Sequence, residues 1–145
     1  MDTEVSVLGM IGPALALGFP AIGSSIGCGI AGAASHAVMS RVEEGHGKYI
    51  GMAAAPSSQI IYGFILMLLM SKAVLAGTLS PIAAIGIGAS SGIAIMFSSV
   101  YQGVVCATGI QASAKQPAIF GKCFAAVGII ESFSLFIFVF TLLLF

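Results

Sequence analysis

Four long runs of apolar and small residues, parted only by short polar breaks, constrain this chain more than any other feature. A segment inside lipid must satisfy its own backbone hydrogen bonds, and a helix of about 20 apolar residues does so while crossing the bilayer. Windows of that length place spans at Val5 to Met39, Tyr49 to Met70, Ser80 to Gln111 and Cys123 to Phe145. Composition agrees: 59% of the 145 residues are hydrophobic and 7% charged, and the mean hydropathy is +1.13. The expected fold class is an all-α membrane protein of four transmembrane helices. The first and third spans exceed what a core of about 30 Å requires at 1.5 Å per residue, so they should tilt or project into water.

Nine of the ten formal charges lie near the amino terminus or in breaks between the runs, at Asp2, Glu4, Arg41, Glu43, Glu44, Lys48, Lys72, Lys115 and Lys122. A net charge of zero gives no basic footprint for nucleic acid, so the expected partners are lipid and protein. Four of the five cationic residues sit in segments 40–48 and 112–122, which the positive-inside rule makes cytoplasmic, with both termini outside and Lys72 a minor exception. The opening segment lacks a basic stretch and runs past signal-peptide length, so it reads as the first span. Cys28, Cys106 and Cys123 sit in apolar runs without metal-ligand spacing and read as packing residues.

Shifted by 74 residues, the chain overlays itself: Gly12, Gly18, Ser24, Ser25, Gly29, Gly47 and Lys48 fall on Gly86, Gly92, Ser98, Ser99, Gly103, Gly121 and Lys122. The sequence is therefore a duplicated helical hairpin, 1–74 and 75–145. Two spans separate equivalent points, so the copies share one orientation and form a parallel repeat. Spans one and three are glycine-rich, with Gly9, Gly12, Gly18, Gly23, Gly27, Gly29 and Gly32, then Gly86, Gly88, Gly92, Gly103 and Gly109. Small residues let helix backbones approach closely in lipid, which predicts a tight inner layer. The bulky runs from Phe64 to Met70 and Phe133 to Phe145 suit an outer, lipid-facing layer, and a layered ring is an economical arrangement.

"GCGIAG", Gly27 to Gly32, matches the dinucleotide fingerprint, but that motif acts only between a strand and a helix and with an acid about 20 residues on. Here it lies within a span and the later residue is Met52, so helix packing is the expected role. No Walker A sequence occurs, and the chain is not expected to bind or hydrolyse a nucleotide.

The tenth charge is Glu131, inside the fourth run. An ionisable group within a membrane is costly unless neutralised or paired, and it commonly marks an ion or proton pathway. Glu131 lies nine residues beyond Lys122, Gln59 eleven beyond Lys48, and Gln102 thirteen before Lys115. These three share a depth within roughly 6 Å near mid-bilayer. Ala55, Ser58, Gln59 and Tyr62 are spaced i, i+3, i+4 and i+7 and so share one helix face. Pro56 removes one backbone donor, which predicts a freed Met52 carbonyl and a loosened turn at Ala55. A carboxylate, two amide oxygens, a hydroxyl and a carbonyl make an oxygen shell suited to a hard cation, with Tyr62 donating to the carboxylate. A proton carrier needs only a carboxyl in an apolar site, so these extra oxygens favour Na+ while H+ stays open. The bland reading of Ser58, Gln59 and Gln102 is interhelical packing glue. His36, His46 and Gln111 read as interfacial.

Taken together, "GPALALGFPAIGSSIGCGIAGAAS", "APSSQIIYGF", "VYQGVVCATGIQASAKQP" and "GIIESFSLF" closely resemble the four-helix proteolipid, or rotor ring subunit, of V-type and archaeal-type rotary ATPases. The resemblance covers nearly the whole chain. It implies a homo-oligomeric ring in which each copy carries one ion on its glutamate, here Glu131. It also implies a stator membrane subunit presenting an arginine, a central-stalk subunit, and nucleotide sites on other subunits. In sodium-carrying members the matching positions hold the ion through the Ala55 carbonyl, Ser58, Gln59, Gln102 and Glu131, with Tyr62 bonded to the glutamate. Ser58 stands where those members have threonine and keeps the hydroxyl. The first repeat has Ser57 in register with Glu131, so one ion per chain is expected.

Two other classes fit less well. A four-helix exporter of organic cations would call for aromatic stacking groups, and the chain has no Trp. A purely structural packing protein leaves Glu131 without a purpose. The short termini favour a prokaryotic plasma membrane.

Overall fold

The protein, seen as a computed structural model, is described over residues 7–145; the expected span start at Val5 and the acids Asp2 and Glu4 lie outside the described residues. Four helical segments, each long and apolar enough to cross a membrane, account for most of the described chain. They are α1 (Ile11–Met39), α2 (His46–Leu75, tightened to a 3-10 turn at Ala55–Ser57), α3 (Pro81–Lys115) and α4 (Phe120–Leu142).

The connections follow from local chemistry. Gly45, at φ +79°, supplies the left-handed residue ahead of α2. Gly77, at φ +76°, ends α2 in a Schellman motif in which its N–H donates to the Val74 carbonyl and that of Thr78 to the Ala73 carbonyl. Three residues later Ser80 caps α3 by accepting from the Ala83 N–H, and Pro81 occupies the first turn, where its missing donor is harmless.

Four expected boundaries shift outward. α2 starts at His46 and runs to Leu75, α3 continues to Lys115, and α4 is entered through a 3-10 turn at Pro117–Ile119. An apolar window trims polar ends, whereas a helix carries on into the headgroup region, where Lys72 and Lys115 are solvated. Lys72 thus belongs to the last turn of α2 rather than to a break. At its far end α4 stops at Leu142, short of Phe145.

α1 lies against α3 along much of its length, α2 packs on α1 and α4 on α3. Glycine permits the inner contact: a Cβ at Gly88 would overlap the Gly12 backbone, one at Gly103 the Gly27 backbone, and one at Gly23 the Met96 backbone. Gly18, Gly29, Gly32 and Gly86 face no atom within 4 Å, so the glycine-rich layer is only partly used inside one chain. Phe64, Leu68, Phe133, Phe136 and Phe140 are exposed on the outer helices, as expected. One apolar cluster gathers Ala31, Tyr49, Met52, Cys106, Ile110 and Val127; a second gathers Ala16, Leu66, Met70, Ala84 and Ile95. Between them, along α2, α3 and α4 alike, lies a polar layer.

Lys48 Nζ stands 5.2 Å from the Tyr49 ring centroid and 6.0 Å from that of Phe120, so the α1–α2 and α3–α4 connections share one end. That is the geometry of a parallel repeat.

Candidate functional site

The polar layer starts from a backbone irregularity. Pro56 has no N–H and crowds the carbonyl four residues back, so α2 tightens into the 3-10 turn at Ala55–Ser57. The Met52 carbonyl is not freed, contrary to expectation: the Ala55 N–H bonds to it three residues on. The Ala55 carbonyl accepts the Ser58 N–H and also lies 3.0 Å from Ser58 Oγ. The tightened turn aims Ser58, Gln59 and Tyr62 at α4.

Glu131, half-buried on α4, receives four donors. Its Oε1 accepts from Tyr62 OH at 2.7 Å, and its Oε2 from Gln102 Nε2 at 2.7 Å and Gln59 Nε2 at 3.0 Å. Ser58 Oγ lies 2.7 Å from Oε1 and 2.8 Å from Oε2, so its single proton serves the carboxylate as a whole. All four donors are neutral, and each reaches a carboxyl oxygen in a partly dehydrated setting, where hydrogen bonds are strengthened. Gln59 and Gln102 are fully buried, and Gln59 Nε2 also donates to Gln102 Oε1 at 2.6 Å. Glu131, Gln102, Gln59, Ser58 and Tyr62 therefore form one connected cluster, with Ala55 joined to it through Ser58.

Sequence reasoning noted Ser98 and Ser99 only as markers of the duplication and passed over Ser134. Buried Ser99 Oγ lies 3.0 Å from the Pro56 carbonyl and 3.3 Å from Gln59 Oε1. Its neighbour Ser98 donates to the Ile130 carbonyl at 3.2 Å and accepts from Ser134 at 2.7 Å. Pro56 and Ile130 are equivalent under the 74-residue shift, so adjacent serines of α3 hold the two outer helices at matching points. The available signal was the i, i+3 spacing of Ser99 and Gln102 on one helix face.

The equivalent place in the other half keeps only a hydroxyl: Ser132 matches Ser58 but bonds its own helix, at the Ile129 carbonyl. Ser57 is exposed and bonds only its own helix, at the Ala54 carbonyl. Cys28, Phe133 and Phe136 occupy the positions matching Gln102, Gln59 and Tyr62. Among the described residues no three His, Cys, Asp or Glu side chains come together, so the donor set is a single carboxylate among neutral oxygens and amides. Such a set suits a hard monovalent cation better than a transition metal. His46 bonds the Val42 carbonyl at 2.8 Å in an exposed turn, and Gln111 is exposed; neither touches the cluster. Gly27 to Gly32 lie within α1, helical throughout.

Comparison with known proteins bears on this arrangement. A family model for the ATP synthase C subunit matches residues 11–70 and again 85–144, one copy for each hairpin and offset by the same 74 residues. The A-type ATP synthase subunit K of Methanocaldococcus jannaschii is 37% identical over 119 residues, 80% of this chain and 51% of that protein. The V-type sodium ATPase subunit K of Enterococcus hirae is 34% identical over 143 residues, 95% of this chain and 90% of that one. The chain thus spans about half the length of the archaeal relative and nine-tenths of the bacterial one.

Proposed function

Because the chain belongs to the ATP synthase C-subunit family, we propose that it is an ion-carrying rotor subunit of a V-type or archaeal-type rotary ATPase, assembled as a ring of identical copies. Glu131 carries one ion per chain, and Na+ is the reading favoured over H+. The observation that supports this is the convergence of Ser58, Gln59, Gln102 and Tyr62 on one intramembrane carboxylate. A proton carrier requires none of the amides. A sodium-ATPase relative that nearly spans this chain points the same way.

The mechanism follows from electrostatics. A bare carboxylate facing lipid is strongly disfavoured, whereas a carboxylate neutralised by a bound cation can turn through lipid with the ring. Exchange then takes place where a stator subunit presents an arginine, which draws the carboxylate off its ion. A central stalk transmits the rotation to nucleotide sites on other subunits, so the chain catalyses nothing alone. With the carboxylate and both amides at only one of the two equivalent places, each four-helix chain moves one ion. The hairpin boundary falls near residue 74, the basic connections face the cytoplasm of a prokaryotic plasma membrane, and both termini face outward. Gly18, Gly29, Gly32 and Gly86, without neighbours in one chain, are placed to receive an adjacent copy.

The deciding experiment is carbodiimide labelling of Glu131 in the purified ring at fixed pH, with and without NaCl. Protection at micromolar to millimolar Na+ is expected; protection by raised pH alone would replace Na+ with H+. Glu131→Gln is expected to abolish coupled transport, and coupled current in that variant would refute the assignment of the carrier.

A further inference from the structure

Within the cluster's hydrogen bonds, Gln59 has an orientation that a cation cannot use. Its Nε2, not its oxygen, faces the cluster and bridges Gln102 Oε1 and Glu131 Oε2. Gln102 is oriented the other way: its Nε2 is held by the Val127 carbonyl at 3.3 Å and Glu131 at 2.7 Å, which leaves Oε1 turned inward. A cation accepts only oxygen from an amide. Gln102 can therefore serve as a ligand as it stands, whereas Gln59 must turn its amide over. When it does, the atom behind it changes from an acceptor to a donor.

Only a group able both to donate and to accept can partner Gln59 in both orientations, and at a buried position an unmatched amide would be costly. Ser99 Oγ is that group. It lies 3.3 Å from Gln59 Oε1, with the Pro56 carbonyl at 3.0 Å and Ser24 Oγ at 3.5 Å as further partners. Ser58 is the other hydroxyl near Gln59 Oε1, at 3.4 Å, but its proton goes to Glu131 at 2.7 Å. Ser99 is fully buried, so water does not substitute for it.

We infer that Ser99 is a positioning residue whose hydroxyl reverses its role to let the Gln59 amide turn over and take a cation. With the amide nitrogen inward, Ser99 donates to Gln59 Oε1. With the amide oxygen inward, Ser99 accepts from Gln59 Nε2 and donates its proton to the Pro56 carbonyl. The inference rests on the Na+ reading above.

The test uses assembled, purified rings and reads the NaCl concentration that halves carbodiimide labelling of Glu131. Ser99→Thr and Ser99→Val have nearly the same shape and differ in the hydroxyl. Thr is expected to stay within about threefold of the unaltered ring, and Val to need at least about tenfold more Na+. Ser99→Ala, which adds no bulk, is expected to match Val and carries the test if the Val ring does not assemble. In a Gln59→Leu background the Ala effect should vanish, because the two side chains act as one unit. Equal shifts for Thr and Val, an unshifted Ala ring, or an Ala effect that persists without Gln59 would each overturn the inference. An unaltered ring that Na+ does not protect would instead overturn the sodium reading, and the relay with it.

Discussion

Replacing Gln102 by leucine separates a bound cation from a packed amide. Gln102 is 1% exposed; its Nε2 is committed to Glu131 and the Val127 carbonyl, and its Oε1 accepts from Gln59 at 2.6 Å. Binding Na+ exchanges that neutral bond, worth about 1 kcal/mol, for a contact with a charge, worth about 1.5–3 kcal/mol. Leucine fills similar volume but forfeits the difference, about 0.5–2 kcal/mol, so Na+ should bind about 2- to 30-fold more weakly. The assay is the NaCl concentration that halves carbodiimide labelling of Glu131 in the purified ring. Gln111→Leu, on the same helix but exposed, is the control and should leave that concentration unchanged. A Gln102→Leu shift within about twofold, or an equal shift in the control, would refute Gln102 as a ligand and return it to packing glue.

Further outcomes follow from the geometry. Ser57→Glu restores the carboxylate to the first repeat, but with Cys28, Phe133 and Phe136 where Gln102, Gln59 and Tyr62 would stand, bound 22Na+ should stay at one per chain; two per chain would show that the amides are not needed to make the site. Gly103→Ala drives a methyl group into the Gly27 backbone and should destabilise the detergent-solubilised protein by about 1–3 kcal/mol in denaturant-driven unfolding. Gly51→Ala, with open space around it, should not. Ser134→Ala removes the 2.7 Å bond to Ser98 and should lower the same stability by about 0.6–2 kcal/mol; no change would mean that this hydroxyl pair does not help to seat α4 on α3.

The four spans, the duplication and the lone carboxylate were all legible in the sequence, because a bilayer enforces length and apolarity and penalises a stray charge. The depth count placed Gln59, Gln102 and Glu131 together because helical rise is nearly constant. Helix ends were less legible: Lys72 and Lys115 look like breaks in an apolar window, yet helix continues through both. The division of the glycines was hidden as well. Gly12, Gly88 and Gly103 meet backbone while Gly18 and Gly29 meet nothing, a difference set by helix rotation that periodicity alone leaves free.

The sequence by itself determined what the chain could not avoid: four helices in lipid, a parallel repeat, and one intramembrane carboxylate with oxygen-bearing residues at its depth. Tertiary structure alone decided how the hydrogen-bond partners pair. The Met52 carbonyl goes to the 3-10 turn, Gln102 is anchored on the Val127 carbonyl, and the Gln59 amide has its nitrogen toward Glu131 with Ser99 behind it. The physical reason is that hydrogen bonding is directional and short-ranged. Residue spacing fixes which side chains can meet, but a rotation of a few tens of degrees about a helix axis decides which atom of each faces which.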